Sequence, residues 1–256
     1  MSVLRDFGSN GMRRGVTRPT LSRSLMARVV GAAHMAALAF SFTFLFAVVA
    51  LAQGGPETGK NQPGRFDFYV LALSWSPSFC EASAERGQNK RPNPQCGGRP
   101  FAFVVHGLWP QYERGFPSFC EKPAPRIDQA LIDRALDMMP SPGLVIHEWR
   151  RHGTCSGMPA AEYFDNMRKA RAKVTVPAAY RDLDQPMMVA PAEVADAFLK
   201  ANRGLSHDSF AVMCDSKRLN EVRICLNKDF SFRDCPEVTR RACKFDKVAM
   251  PAVRGG

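Results

Sequence analysis

Eight cysteines constrain this chain more than any other feature, and all lie beyond residue 79: Cys80, Cys96, Cys120, Cys155, Cys214, Cys225, Cys235 and Cys243. An even set of cysteines downstream of an apolar N-terminal run reads as four disulfides made in an oxidising compartment. Pairing is open at this level, since eight cysteines allow on the order of a hundred connectivities. No Cys-x-x-Cys pair occurs, which argues against a zinc knuckle or a thioredoxin-like redox site.

The N-terminal run supports the same compartment. Residues 1–28 hold six arginines against one acid, Asp6, and Val29 to Ala52 then carries no Asp, Glu, Lys or Arg and ends in Ala50-Leu51-Ala52. A basic start, an apolar stretch and small residues describe a secretory signal, with cleavage expected after Ala52. The rival is a retained anchor, because 24 residues can also span a bilayer. Met12 or Met26 are alternative initiators, and a start at Met26 would leave a compact signal led by Arg28. The expectation is a secreted or periplasmic protein that meets the membrane only transiently, through this segment. Removing six basic residues and one acidic one lowers the formal net charge from +11 to +6. A cationic product favours anionic partners without identifying one.

Residues 53–65 read as a polar Gly/Pro linker, 66–245 as one domain and 246–256 as a tail. Phe66 to Trp75 reads as a strand buried on both faces, ending before Pro77. Ser78 to Arg99 reads as a loop that a Cys80–Cys96 bridge could close. Phe101 to Val105 reads as a second strand, with His106 where it leaves the sheet. Helices are expected at Ile127–Met139, Leu144–His152, Ala160–Lys173 and Pro191–Asn202, and short strands at Ser209–Cys214, Val222–Leu226 and Thr239–Phe245. Strands, then helices, then strands argue an α+β fold: one disulfide-stapled domain with a central antiparallel sheet flanked by helices.

The chemistry concentrates in His147-Glu148-Trp149-Arg150-Arg151-His152-Gly153-Thr154-Cys155. On a helix, His147, Arg151, Cys155, Glu148 and His152 would share an arc of roughly 140°. Two imidazoles can act as base and acid near neutral pH, and a guanidinium can bind a phosphoryl oxygen in two-pronged fashion. His106, in His106-Gly107-Leu108-Trp109-Pro110, is the other candidate. This is equipment for phosphoryl transfer with neither metal nor cofactor. The zinc-protease pattern H-E-x-x-H needs histidines four apart, whereas His147 and His152 are five apart. A cysteine protease built on Cys155 and His106 would leave an odd number of cysteines to pair.

At these two motifs, and at Phe68-Tyr69-Val70-Leu71-Ala72-Leu73-Ser74-Trp75, the sequence resembles the ribonuclease T2 family. The resemblance implies that family's α+β fold and cleavage of single-stranded RNA through a 2′,3′-cyclic phosphate to 3′-phosphate ends. DNA, lacking the attacking hydroxyl, would be spared. It implies His152 as general base, His106 as general acid, Glu148 and Arg151 as stabilisers of the phosphorane, and His147 with Arg151 as phosphate binders. Trp109 and Gln111 would meet the base, with Tyr112 or Phe116 supplying a second ring. It also implies the pairs Cys80–Cys96, Cys120–Cys155, Cys214–Cys243 and Cys225–Cys235. Arg151 stands where the family usually has lysine, and Gln111 where many members have an acid or asparagine. The alternatives are a protein of the same fold that binds RNA or another partner with little turnover, and a non-enzymatic disulfide-stapled module. A monomer is expected.

Overall fold

The computed structural model describes residues 61–87, 93–97 and 99–253. The expected signal segment, its cleavage point and most of the linker lie outside these residues. Among the described residues no helix is long and apolar enough to cross a membrane.

The central sheet is fully antiparallel, in the order β2, β1, β5, β4. Its strands are β1 (Phe68–Trp75), β2 (Phe103–Gln111), β4 (Phe210–Cys214) and β5 (Leu219–Leu226). The apolar run Phe68–Leu73 of β1 follows from its central place, where alternate side chains enter two different cores. Tyr69, Leu71, Leu73 and Trp75 join the main core, with Trp149, Tyr163, Met167 and Phe198 from the helices. Phe68 and Val70 join a smaller cluster with Ala211, Cys225, Cys235 and Val238, and Trp109 packs against it.

The helices are α1 (Ser76–Glu85), α2 (Gln129–Ala135), α3 (Pro142–Arg151), α4 (Ala160–Ala172), α5 (Pro191–Ala201) and α6 (Pro236–Thr239). Three of them begin on a proline, and α1 carries Pro77 as its second residue. Proline's missing N–H costs nothing in the first turn, and its fixed φ suits a helix start. This corrects the reading of Ser78 to Arg99 as loop: Pro77, just past the strand, lies in the first turn of α1, whose middle Cys80–Cys96 ties down. The last expected strand is also replaced. Pro236 starts α6 within the segment after Cys235, and the pairing edge lies further on, where β6 (Val248–Met250) meets β3 (Met187–Val189). Residues from 246, read as a tail, therefore continue the fold: Trp75 Nε1 donates to Pro251 O at 2.9 Å.

The end of the linker is likewise fastened. Gly64 N donates to Cys155 O at 3.0 Å, and Ser118 N donates to Asn61 Oδ1 at 2.9 Å. The four disulfides are Cys80–Cys96, Cys120–Cys155, Cys214–Cys243 and Cys225–Cys235.

Gly157, with φ +75°, ends the 3-10 turn Gly153–Ser156, and a Cβ there would sit 2.7 Å from Gly64 N. Left-handed φ and backbone collision act together. Gly157→Ala is expected to lower stability by about 2 kcal/mol, which for a domain of this size is a fall of roughly 4–8 °C in thermal midpoint. Hydrogen exchange at Gly64 N should accelerate; an unchanged midpoint and protection would show that this contact contributes nothing.

Candidate active site

β1 and β2 pair in register from Phe68 with Gln111 to Ala72 with Gly107, and the register then jumps so that Leu73 pairs with Val105. His106 is the extra residue of a β-bulge, a device that re-aims a side chain. Its expected place at the end of a strand is corrected: it sits in the middle of β2. Local sequence cannot reveal this, because a bulge is defined by the partner strand.

α3 supplies the facing wall. Its buried side, Val145, Glu148 and Trp149, anchors it, and Trp149 Nε1 donates to Pro125 O at 2.8 Å. The helix ends at Arg151, with His152 as its cap, so Cys155 lies on the following 3-10 turn rather than on the helical arc expected. Even so, His147, Glu148, Arg151 and His152 all reach one cleft of about 370 Å³. The Cys120–Cys155 bridge and a hydrogen bond from Phe119 N to Arg151 O (2.8 Å) hold the 116–120 segment against this helix end.

Glu148 is at the centre and only 1% exposed. Its Oε2 accepts a hydrogen bond from Trp109 Nε1 at 2.7 Å, and its Oε1 lies 3.8 Å from His106 Nε2. A Cβ on Gly107 would collide with both partners of that hydrogen bond, so glycine after His106 is a condition of the joint. The Trp109 ring meets His106 edge-on at 5.1 Å between centroids and lies 5.3 Å from His152, while the Arg223 guanidinium stands 5.2 Å over it. Expected as a stacking platform, the indole is already engaged by the site's own groups.

The two catalytic candidates are driven in opposite directions. Burial pulls His106 down, but a hydrogen bond between its Nδ1 and Glu221 Oε2 (2.9 Å) and the charges of Glu221 and Glu148 outweigh that, and its pKa is raised. A carboxylate only accepts, so Nδ1 carries a proton. His152 has no such partner: burial first, then the charges of Arg151, His106 and His147, push it down to about 3. Among the described residues its buried Nδ1 has no hydrogen-bond partner. Burial also lifts Glu148 to about 7, against the pull of His106, the Trp109 hydrogen bond and Arg151. His147, at the mouth, is lowered by desolvation and by the neighbouring charges of Arg151 and His106.

Of the residues expected to meet a base, Gln111 and Phe116 line the cleft, with Phe116 44% exposed and its ring 6.2 Å from His152. Tyr112 does not line it. Its ring packs against the main core and its hydroxyl accepts from Asn61 N at 3.3 Å, because alternation along β2 and the turn after it carry it to the other side. Residues that sequence reasoning missed complete the wall: Val70, Glu221's neighbour Arg223, and Glu237, Val238 and Arg241 around α6. Glu237 Oε2 accepts from Gly115 N at 3.2 Å, which ties α6 to the loop carrying Phe116. Glu221 carries no signal of its own: with Asn220 before it and Arg223 two residues on, it stands one residue before the strand expected at Val222–Leu226. Among the described residues no group of three or more His, Cys, Asp or Glu is arranged to hold a metal ion.

The model of the ribonuclease T2 family matches residues 66–235. A ribonuclease of Aeromonas hydrophila is 36% identical over 175 residues, which is 66% of this chain and 76% of that protein. A probable ribonuclease of Haemophilus influenzae is 30% identical over 189 residues, 69% of this chain and 64% of the relative. Among solved structures, an RNase-related protein from Calystegia sepium superposes with a TM-score of 0.59 at 22% identity, covering 74% of this chain and 98% of that one. RNase NT in complex with 5′-AMP gives a TM-score of 0.56 at 24% identity, covering 73% and 98%. With the matched span taking in both histidine motifs, the chain belongs to the ribonuclease T2 family of endoribonucleases.

Proposed function

We propose that this endoribonuclease cleaves single-stranded RNA by transphosphorylation, with His152 as general base and His106 as general acid. The observation that carries the reading is the opposite displacement of two imidazoles in one cleft. At neutral pH His152 is neutral and can accept, while His106 holds its proton more tightly than a free imidazole. Neutral His152 takes the proton of the 2′-hydroxyl, whose oxygen attacks phosphorus. Protonated His106 gives its proton to the departing 5′-oxygen, and a 2′,3′-cyclic phosphate remains. Water then opens it to a 3′-phosphate with the roles reversed.

Arg151 and His147, both at the cleft, would hold the phosphate oxygens, and Arg151 with Glu148 would face the crowded phosphorane. Gln111 and Phe116 supply a polar edge and an exposed ring for a base. RNA is required because DNA lacks the nucleophile. The protein would act as a monomer outside the cytoplasm, secreted or periplasmic, after losing residues 1–52, with residues 66–235 and their C-terminal continuation as catalytic domain.

The test is digestion of a labelled single-stranded RNA by the oxidised protein in excess chelator, beside a DNA of the same sequence. Cyclic-phosphate ends from RNA alone are expected, and His152→Ala and His106→Ala should each lower the rate by about 10²–10⁴-fold. Intact RNA throughout would instead mean a binding protein.

Glu148 gives a second test, in stability. Its folded pKa, about 7, lies above the ordinary 4.5, so the folded state gives up stability as pH rises from 4.5 through 7. Glu148→Gln is therefore expected to be more stable than the parent above pH 7, by up to about 3 kcal/mol, with the gain vanishing below about pH 4.5. Denaturant midpoints across this range read the effect, and a pH-independent difference would mean that Glu148 is not held against its charge. The same variant should be severely impaired on RNA.

A further inference from the structure

Taking His106 as the acid, we propose that Glu221 is its positioning residue, gripping Nδ1 so that Nε2 alone faces the leaving group, and that Arg223 limits the negative charge reaching the ring. The arrangement is built across three strands. β1 lies between β2 and β5, and at this level it carries Ser74, which pairs with Val104 on one side and Glu221 on the other. A small side chain there leaves room for the bulged His106 to meet a carboxylate two strands away. The Ser74 hydroxyl is 3.5 Å from Glu221 Oε2.

Glu221 divides its oxygens. Oε2 takes His106 Nδ1 at 2.9 Å, and Oε1 takes Arg223 Nε at 2.7 Å and Nη2 at 2.6 Å. The Glu221 side chain is 9% exposed and that of His106 37%, and His106 lines the cleft. Glu148 cannot do this work, because its Oε2 is occupied by Trp109 and its Oε1 approaches Nε2, the reacting nitrogen. The groups around His106 are thus Glu221 and Arg223 from β5, Glu148, His147 and Arg151 from α3, His152 at its cap, and the Trp109 edge from its own strand.

The consequence is a fixed tautomer. With Nδ1–H bound to a group that only accepts, the proton that leaves is always the one on Nε2, and it goes to the 5′-oxygen as the P–O bond breaks. The ring is then neutral with a bare Nε2, ready to accept a proton from the water that opens the cyclic phosphate. Glu221 keeps its charge throughout and takes no proton itself.

Two uridine substrates separate this role from a structural one: a dinucleotide, whose 5′-oxygen needs a proton to leave, and the 3′-(4-nitrophenyl phosphate), whose phenolate does not. Glu221→Gln is expected to lower kcat on the dinucleotide by about 10–100-fold and on the aryl ester by less than about threefold. It should also move the basic limb of the kcat/KM profile to lower pH, since the proton on His106 loses its anionic partner. Arg223→Met should move that limb to higher pH, and it carries the test alone if Glu221→Gln fails to fold. Equal losses on both substrates, or limbs that stay put, overturn the role of Glu221. A parent enzyme inactive on both substrates, or His106→Ala as active on the dinucleotide as the parent, would overturn instead the assignment of His106 on which it rests.

Discussion

The hydrogen bond from Trp109 Nε1 to Glu148 Oε2 joins the two halves of the site. One partner belongs to β2, the other to α3, and each carries its own catalytic candidate: His106 lies three residues before Trp109, and His152 one helical turn after Glu148. The distance between the two imidazoles is therefore set by this joint together with the bulge. Its geometry explains local sequence on both sides. Gly107 has no side chain because one would strike the bond, and Trp149, next to Glu148, turns inward to lock the helix against Pro125.

Around the joint, two chemically identical side chains acquire opposite characters from their neighbours alone. His106 stands among carboxylates, one bound to it and one 3.8 Å away, and these outweigh the cost of charging a partly buried ring. His152 stands beside Trp109 and Phe116, feels the charges of Arg151 and two other imidazoles, and has a buried nitrogen with no partner among the described residues. Displacing two titrating groups apart is what assigns acid and base to otherwise equivalent residues. No rearrangement of the fold is required for it. Moving one carboxylate or one guanidinium would suffice to weaken the difference.

How much of this was legible in the sequence divides along the range of the interactions. The two histidine motifs announced their chemistry because acid, base and phosphate-binding types crowd into short stretches, and the α+β class followed from the order of apolar patterns. The positions of proline are legible only in part: Pro77 and Pro236 read as stops, yet they lie in the first turns of α1, in a stretch that reads as loop, and of α6, which local pattern does not announce. The bulge at His106 depends on the register of β1, and the partnership with Glu221 joins residues 115 apart in sequence. Nothing local encodes either. Tyr112 was misassigned for the same reason, since an aromatic beside a binding loop reads alike whether it faces the ligand or, as here, Asn61 and the core.

The site is costly to the fold, and the cost is concentrated at one end of α3. Holding Glu148 in a place that raises its pKa to about 7 disfavours its ionised form by up to about 3 kcal/mol at neutral pH. The orphaned Nδ1 of His152 adds about 1–3 kcal/mol. Surface ion pairs such as Arg168 with Asp137 cannot offset this, being worth at most about 1 kcal/mol each. The Cys120–Cys155 bridge is of the right size, since closing a loop across 35 residues restricts the unfolded chain by roughly 3–4 kcal/mol. It acts where the strain is, three residues beyond His152, and binds the helix end to the segment that carries Phe116. A cationic, disulfide-closed domain can thus keep a buried carboxylate and an unpaired imidazole side by side, which a chain of this size would hold less easily in a reducing compartment.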